Sequence, residues 1–288
     1  VIEMLGYPAI DPWTEYATRV LAPNPGPMTL DGTNTYVVRH PGTPRTVIVD
    51  PGPRDPAHLR RVLALGAVEL ILLTHHHTDH AESAQYLSAR TGAPVRAADP
   101  HHCTGADPLL HGEHFFAGGV RIEVFSTPGH TADSVCFHIP ADDGLEHRGA
   151  AGSLLAGDTI LGRGTTLISP DGGSLADYLH SISRLSELGP AIVLPGHGFM
   201  IDDLNVVATG YLKHRMARLR QIEDAVRELA SDTPGEVTVE RVTDRVYRDV
   251  PRSTRFAAEA NVAAQLTYLA ERTTLAERIA RPRMRRIR

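Results

Sequence analysis

Residues 75 to 80 read His75-His76-His77-Thr78-Asp79-His80, four imidazoles and a carboxylate in a chain with 16 histidines among 288 residues. At that average, a window of six holds about a third of a histidine. Nitrogen and carboxylate donors this dense, with no thiol among them, suit zinc and also admit manganese or iron. The stretch before them, Val68 and Leu70 to Leu73, is short and almost wholly apolar, as a strand buried on both faces should be. In an extended segment side chains two apart point the same way, so His75 and His77 can reach one ion while His76 points elsewhere. A helix expected to begin near Ala81 turns Asp79 and His80 toward a second ion. The plain alternative for this segment alone is a His-rich surface turn.

Single donors recur at the same kind of place further along. Ile122 to Phe125 reads as a strand and runs into Thr127-Pro128-Gly129-His130; Leu154 and Leu155 precede Gly157-Asp158-Thr159; Ile192 to Leu194 precede Pro195-Gly196-His197-Gly198. Each is an apolar run, a glycine turn and then one donor, and glycine lets the backbone bend tightly beside an ion. One such donor means little. Three in this order, after the histidine loop, point to a metal centre.

This set resembles the five-motif pattern of the metallo-beta-lactamase superfamily, its first motif being Asp50 in Thr46-Val47-Ile48-Val49-Asp50-Pro51-Gly52. The likeness runs from about Thr33 to Gly198. It implies that His75, His77 and His130 bind one divalent ion, that Asp79, His80 and His197 bind another, and that Asp158 bridges them. Asp50 would orient the ligands from behind, as ligating imidazoles require; a turn aspartate ending a strand is the equal alternative. Alternating strands and helices through residue 200 indicate an α/β protein on their own. The resemblance adds the αββα four-layer sandwich, two sheets face to face with helices outside and the metals at one edge.

Two divalent ions about 3.5 to 4 Å apart can share a water and present hydroxide near neutral pH, with Asp79 as the catalytic residue that orients or deprotonates it. The sequence holds no Gly-x-Ser-x-Gly elbow and no phosphate-binding loop of the Walker type. Hydrolysis is the expected reaction. His77 stands where the superfamily's oxygen-reducing flavodiiron members carry glutamate, which disfavours redox chemistry. Glyoxalase II-like thioesterases, lactonases and nucleases share the ligand set. A non-catalytic alternative is a nucleic-acid- or partner-binding protein with a vestigial metal site, against which the complete set of seven donors weighs heavily.

The entrance Leu21-Ala22-Pro23-Asn24-Pro25-Gly26-Pro27, leading into Asp31-Gly32-Thr33-Asn34-Thr35-Tyr36, and the segment Gly157 to Thr166 resemble the beta-lactamase-like protein 2 branch. That branch includes a single-strand endoribonuclease. The likeness implies a phosphodiesterase acting on single-stranded RNA, with an ester, thioester or lactone hydrolase as the alternative. It makes Asn34, Thr165 and Thr166 candidate substrate contacts; turn and capping roles serve each of them equally well.

Three regions are expected: a catalytic domain over 1–205, a connecting helix and linker over 206–234, and a small, mainly helical domain over 235–288 whose layout resembles the winged-helix-like appendage of the same branch. Leu212, Leu219, Ile222, Val226 and Leu229 share one face of a helix running from Val206 to about Leu229. Further helical patterns cover Thr238 to Tyr247 and Arg255 to about Arg272. The tail from Leu275 carries Arg278, Arg281, Arg283, Arg285, Arg286 and Arg288, a cluster suited to phosphate contacts or to a solvated arm. The net charge of −5 and Lys213 as the sole lysine argue against selection for nucleic acid.

At 42% hydrophobic the chain can bury a large core, and no apolar run approaches membrane-spanning length. A cytoplasmic enzyme without membrane contact is the expectation, and either a monomer or a homodimer is compatible with it. Cys103 and Cys136 form no zinc-type pair and imply no disulfide framework. His101, His102, His111 and His114 make a second cluster, expected to be a surface loop.

Overall fold

The apolar runs become strands covered on both sides. The computed structural model describes residues 8–142, 151–232 and 237–280. One sheet holds, in spatial order, β1 (Ile10–Pro12), β2 (Ala17–Leu21), β3 (Asn34–Val38), β4 (Arg45–Val49), β5 (Ala67–Leu72) and β6 (Val95–Arg96). The other is built from β7 (His114–Ala117), β8 (Val120–Ser126), β9 (Val135–Ile139), β10 (Ser153–Gly157) and β11 (Ile192–Pro195), which lie in reverse chain order. Both are mixed: β4 to β6 run parallel, as do β10 and β11, and the other pairs are antiparallel.

The period of two decides which side chains meet between the sheets. Val47 and Val49 on β4, with Leu70 and Leu72 on β5, pack against Val124, Phe137, Ile139, Leu155, Ile192 and Leu194 of the second sheet. The alternate residues Ile48, Ile71 and Leu73 face outward. They are covered by Leu59 and Val62 of α1 (Pro56–Leu63) and by Leu87 of α3 (Ala84–Thr91), which follows the short α2 (Thr78–Ala81). On the other flank Leu154, Ala156 and Val193 lie under Tyr178, Ile182 and Leu185 of α4 (Leu175–Leu185) and under Leu204 and Ala208 of α5 (Leu204–Asp232). The result is the four-layer αββα sandwich. The loop helix α2 starts three residues earlier than the sequence suggests, because the His77 carbonyl already accepts from the amides of His80 and Ala81.

Helix α5 is shared. Its first half, through Tyr211 and Leu219, belongs to the outer core of the second sheet, whereas Ile222 and Ala225 pack with Val242 of α6 (Val239–Val246) and Val262 of α7 (Arg255–Ala280). Thr238 caps α6 through its side chain, which accepts from the Arg241 amide. The last helix outruns its expected end at Arg272 because Leu275 to Ala280 holds neither glycine nor proline before Pro282. The described residues of this region contain no strand, so a wing is not among them, and Arg281, Arg283, Arg285, Arg286 and Arg288 lie outside them. Among the described residues no helix is long and apolar enough to cross a membrane.

One buried histidine ties α1 to the strand end at Asp50. Thr35 Oγ1 donates to the Asp50 carbonyl at 2.7 Å, so the His58 Nε2 proton must be shared between Thr35 Oγ1 at 3.0 Å and the Pro51 carbonyl at 3.2 Å. His58 Nδ1 is buried without a partner. Burial pushes the His58 pKa down to about 4, against the opposing pull of the Pro51 carbonyl. The unfolded chain, titrating near 6.5, therefore binds this proton first, and stability falls as pH drops through 6.5 toward 4 by at most about 3 kcal/mol. In urea unfolding, His58→Gln should flatten the decline between pH 7 and pH 4.5. Parallel curves for the two proteins would rule this out.

Candidate metal centre

Every donor sits where a strand ends. His75 and His77 follow β5, Asp79 and His80 start the first turn of α2, His130 follows β8, Asp158 follows β10 and His197 follows β11. One atom from each of His75, His77, His130 and Asp158 lies within 4.8 Å of the others, and the same holds for Asp79, His80 and His197. His77 Nδ1 is 3.0 Å from both His75 Nε2 and His130 Nε2. One proton cannot bridge three such nitrogens. Ligands about 2.0 Å from a tetrahedral ion stand about 3.3 Å apart, which these spacings match.

Asp158 straddles the two groups. Its Oδ1 is 3.4 Å from both His80 Nε2 and His197 Nε2, and its Oδ2 is 3.8 Å from His130 Nε2. Oδ1 is buried and makes no hydrogen bond, an orphaned oxygen that a cation between the imidazoles would satisfy. Asp79 Oδ2 lies 3.1 Å from His197 Nε2 and 3.4 Å from His80 Nε2. A Cβ at Gly196 would stand 2.6 Å from Asp158 Oδ1 and 2.7 Å from His80 Cε1, so only glycine leaves this space open. The donor set therefore fits two divalent cations.

The protein fixes the tautomers from behind. His80 Nδ1 faces Asp50 Oδ2 at 2.8 Å, His130 Nδ1 faces the Leu167 carbonyl at 2.6 Å and His197 Nδ1 faces the Gly32 carbonyl at 3.1 Å. Thr74 Oγ1 donates to Asp50 Oδ2 at 2.6 Å, which leaves its oxygen to accept from His75 Nδ1 at 3.0 Å. Each acceptor holds a proton on Nδ1 and leaves Nε2 as the atom that faces the site. Asp50 also accepts from the Thr74 amide at 2.8 Å and holds a left-handed φ of 51°. The carbonyls of Leu167 and Gly32 leave no signature in a sequence.

Charge divides the groups. Burial lowers the pKa of His75 far below its usual range, that of His77 to about 4 and that of His130 also, so these three imidazoles are neutral at pH 7. At His80 and His197 burial works in the same direction but loses to carboxylates. Asp158 and Asp50 hold His80 well above its usual value, and Asp158 with Asp79 lifts His197 to about 9. Burial would raise both carboxylates in turn, yet the imidazoles of His80 and His197 hold Asp79 and Asp158 in their charged forms. A cation entering beside His80 and His197 must displace protons.

The remaining candidates are placed differently. Asn34 is wholly buried, and its amide donates to the carbonyls of Pro195 at 2.9 Å and Gly198 at 3.0 Å, bracing the turn that carries His197. Thr166 is buried too, its hydroxyl on the Asp158 carbonyl at 2.7 Å, whereas Thr165 is exposed. His76 belongs to neither group and binds Asp133 Oδ1 at 2.7 Å. The second histidine cluster disperses: His101 binds Asp99, His102 stacks on His76, and His111 accepts from the Ser126 amide. Both cysteines are free, Cys136 in the core and Cys103 partly exposed.

A two-sheet sandwich with strand-end histidines and aspartates gathered at one edge defines a class, and comparison with known proteins agrees. The family model of the metallo-beta-lactamase superfamily matches residues 28–197, and the chain belongs to that superfamily. It is a metal-dependent hydrolase of that family. The chain is 32% identical over 274 residues to the beta-lactamase-like protein 2 homolog of Caenorhabditis elegans, covering 90% of this chain and 86% of the relative. An atrochrysone carboxyl ACP thioesterase from Aspergillus chevalieri is 30% identical over 255 residues, or 85% of this chain and 77% of the thioesterase. The crystal structure of a metallo-beta-lactamase family protein from Thermus thermophilus shares the fold with a TM-score of 0.69 at 23% identity, over 88% of this chain and 93% of that one.

Proposed function

We propose that this chain is a dinuclear hydrolase that opens acyl bonds, thioesters or esters, with His75, His77 and His130 holding one divalent cation, Asp79, His80 and His197 another, and Asp158 between them. The observation that carries the reading is the pair of donor groups joined by one buried, orphaned carboxylate oxygen. When bound, the two cations would supply Lewis acidity, making water acidic enough to attack near neutral pH and polarising the bond to be broken. Zinc suits the donors best, with manganese and iron as alternatives. The chain's own part is orientation. Asp79 turns Oδ2 toward His80 and His197 and has a half-buried side chain, which leaves Oδ1 to accept a proton from the attacking water. The Asp50, Leu167 and Gly32 acceptors, with Thr74 behind His75, keep four imidazoles in register while this happens.

The walls favour an acyl substrate. Phe199 is 40% exposed and follows the His197 turn directly. Arg163, on the loop after Asp158, is engaged by Asp31 at 3.6 Å rather than held free for phosphates. The thioesterase among the relatives points the same way. Cleavage of single-stranded RNA is the second reading, supported by the likeness to beta-lactamase-like protein 2 and by the arginine-rich C-terminus. The test is to offer zinc-loaded protein a glutathione or pantetheine thioester, a lactone and a single-stranded RNA. We expect turnover of the thioester that stops on chelation and returns with zinc or manganese. Chelator-sensitive cleavage of RNA alone would overturn the acyl reading.

A further inference from the structure

The C-terminal helices supply none of the seven donors, yet two of their residues reach the loop behind Asp158. Arg215 on α5 is 3% exposed, and its guanidinium lies 5.1 Å from the centre of the Tyr178 ring. Its Nη2 donates to the Thr166 carbonyl and its Nη1 to Asn261 Oδ1 at 3.1 Å. Asn261, on α7, accepts with the same oxygen from the Ile168 amide at 3.3 Å. Among the described residues its partners are a carbonyl, an amide oxygen and an aromatic face, and Arg215 Nε is buried there without a hydrogen-bond partner. Burying a cation without a carboxylate beside it costs several kcal/mol, a cost with no obvious return in packing.

The return lies in the segment those contacts bracket, Thr166 to Ile168. Thr166 Oγ1 donates to the Asp158 carbonyl at 2.7 Å, and the Leu167 carbonyl takes the Nδ1 proton of His130 at 2.6 Å. Tyr178, beneath the guanidinium, donates to the Thr159 carbonyl at 2.8 Å, one residue past Asp158. We propose that Arg215 and Asn261 are positioning residues for the metal centre. They grip Thr166 and Ile168 at the two ends and so hold Leu167 against His130 and Thr166 against Asp158. The helical C-terminal region is then a working part of the site. This rests on the reading of His130 and Asp158 as metal ligands.

The test titrates metal-free full-length protein with Co²⁺, followed by its visible absorbance, for wild type, Asn261→Ala, Asn261→Asp, Arg215→Gln and Val262→Ala. Val262 is fully buried beside Asn261 but packs only in the core shared by α5, α6 and α7, so its truncation destabilises the region without touching the loop. NMR of the same metal-free samples reads the exchange rate of the His130 Nδ1 proton. We expect Asn261→Ala and Arg215→Gln to weaken Co²⁺ binding about tenfold and to speed that exchange, as loss of an outer partner does. Asn261→Asp keeps the acceptor oxygen and should stay within about twofold of wild type, as should Val262→Ala even with a lower melting temperature. Unchanged affinity and exchange in Asn261→Ala, or an equal loss in Val262→Ala, would overturn the clamp. A wild-type protein that took up no ion, while Asn261→Ala still loosened the His130 proton, would overturn the reading of the donors and leave the clamp standing.

Discussion

Asp158→Asn is expected to lower kcat/KM by roughly 10³-fold, about 4 kcal/mol in the barrier, and to reduce the bound metal below two ions per chain. Asparagine keeps the size and shape of aspartate, so the turn at Gly157 and the Thr166 hydrogen bond to the residue 158 carbonyl are undisturbed. The charge and one acceptor oxygen are lost. In the native protein one carboxylate oxygen faces His80 and His197 while the other faces His130. An amide can serve only one side, and its NH₂ must turn toward the other, where a cation repels it. The native protein treated with a chelator should fall to the same residual rate, and zinc should restore it but not the variant. Metal content by atomic emission, measured with the rates, separates a lost ion from a misplaced one. Native turnover by Asp158→Asn in chelator would sink the dinuclear mechanism.

The parts of the site that the sequence made legible share one property: the residue type itself is unusual for its place. Four histidines within six positions after an apolar strand, or a histidine after Pro-Gly, stand out because a strand-end loop is ordinarily filled with small polar residues. Each of these residues sits at a strand end, and together they gather into two groups of donors. What was illegible depends on the backbone or on burial. The carbonyls of Gly32 and Leu167 orient two imidazoles, and every residue has a carbonyl. Arg215 lies on a helix rich in arginine, where the type reads as solvated, and only the packing of α7 shows it buried. Asn34 and Thr166 are candidate substrate contacts by the likeness to the beta-lactamase-like protein 2 branch. Their burial instead directs those groups to the turns beneath His197 and Asp158.

The fold shows the same division. Strands buried on both faces carry apolar residues at almost every position, so β4, β5, β10 and β11 were recognisable as strands. Periodicity says nothing about which face meets the other sheet and which meets a helix, and the four layers came from resemblance. In the C-terminal region the helix α5 was legible from its stripe. Its sharing between two cores was not, because Leu219 and Ile222 are neighbours on one face and only the partners across from them differ.

Asp50→Asn separates the two roles open to that residue, and we expect it to weaken the ion held by Asp79, His80 and His197 by 10- to 100-fold. At φ 51° most side chains are strained, but asparagine tolerates this region, so the strand end keeps its path. Alanine would add strain and blur the result. Three protons converge on the native carboxylate: the Thr74 amide on Oδ1, and the Thr74 hydroxyl and His80 Nδ1 on Oδ2. An amide offers one acceptor oxygen and points two protons of its own at the remaining donors. If its oxygen takes the Oδ1 place, His80 loses its acceptor and the imidazole can rotate or shift its proton to Nε2, the atom needed at the site. If its oxygen takes the Oδ2 place, the buried Thr74 amide is left unpaired at a cost of about 1–3 kcal/mol, beside the first histidine of the loop. Cobalt titration of the metal-free variant distinguishes these outcomes: loss of the second ion alone marks the His80 route, and weakening of both with a lower melting temperature marks the Thr74 route. Binding and turnover equal to wild type would reduce Asp50 to a turn residue, because the backbone it shapes would then be all the site requires of it.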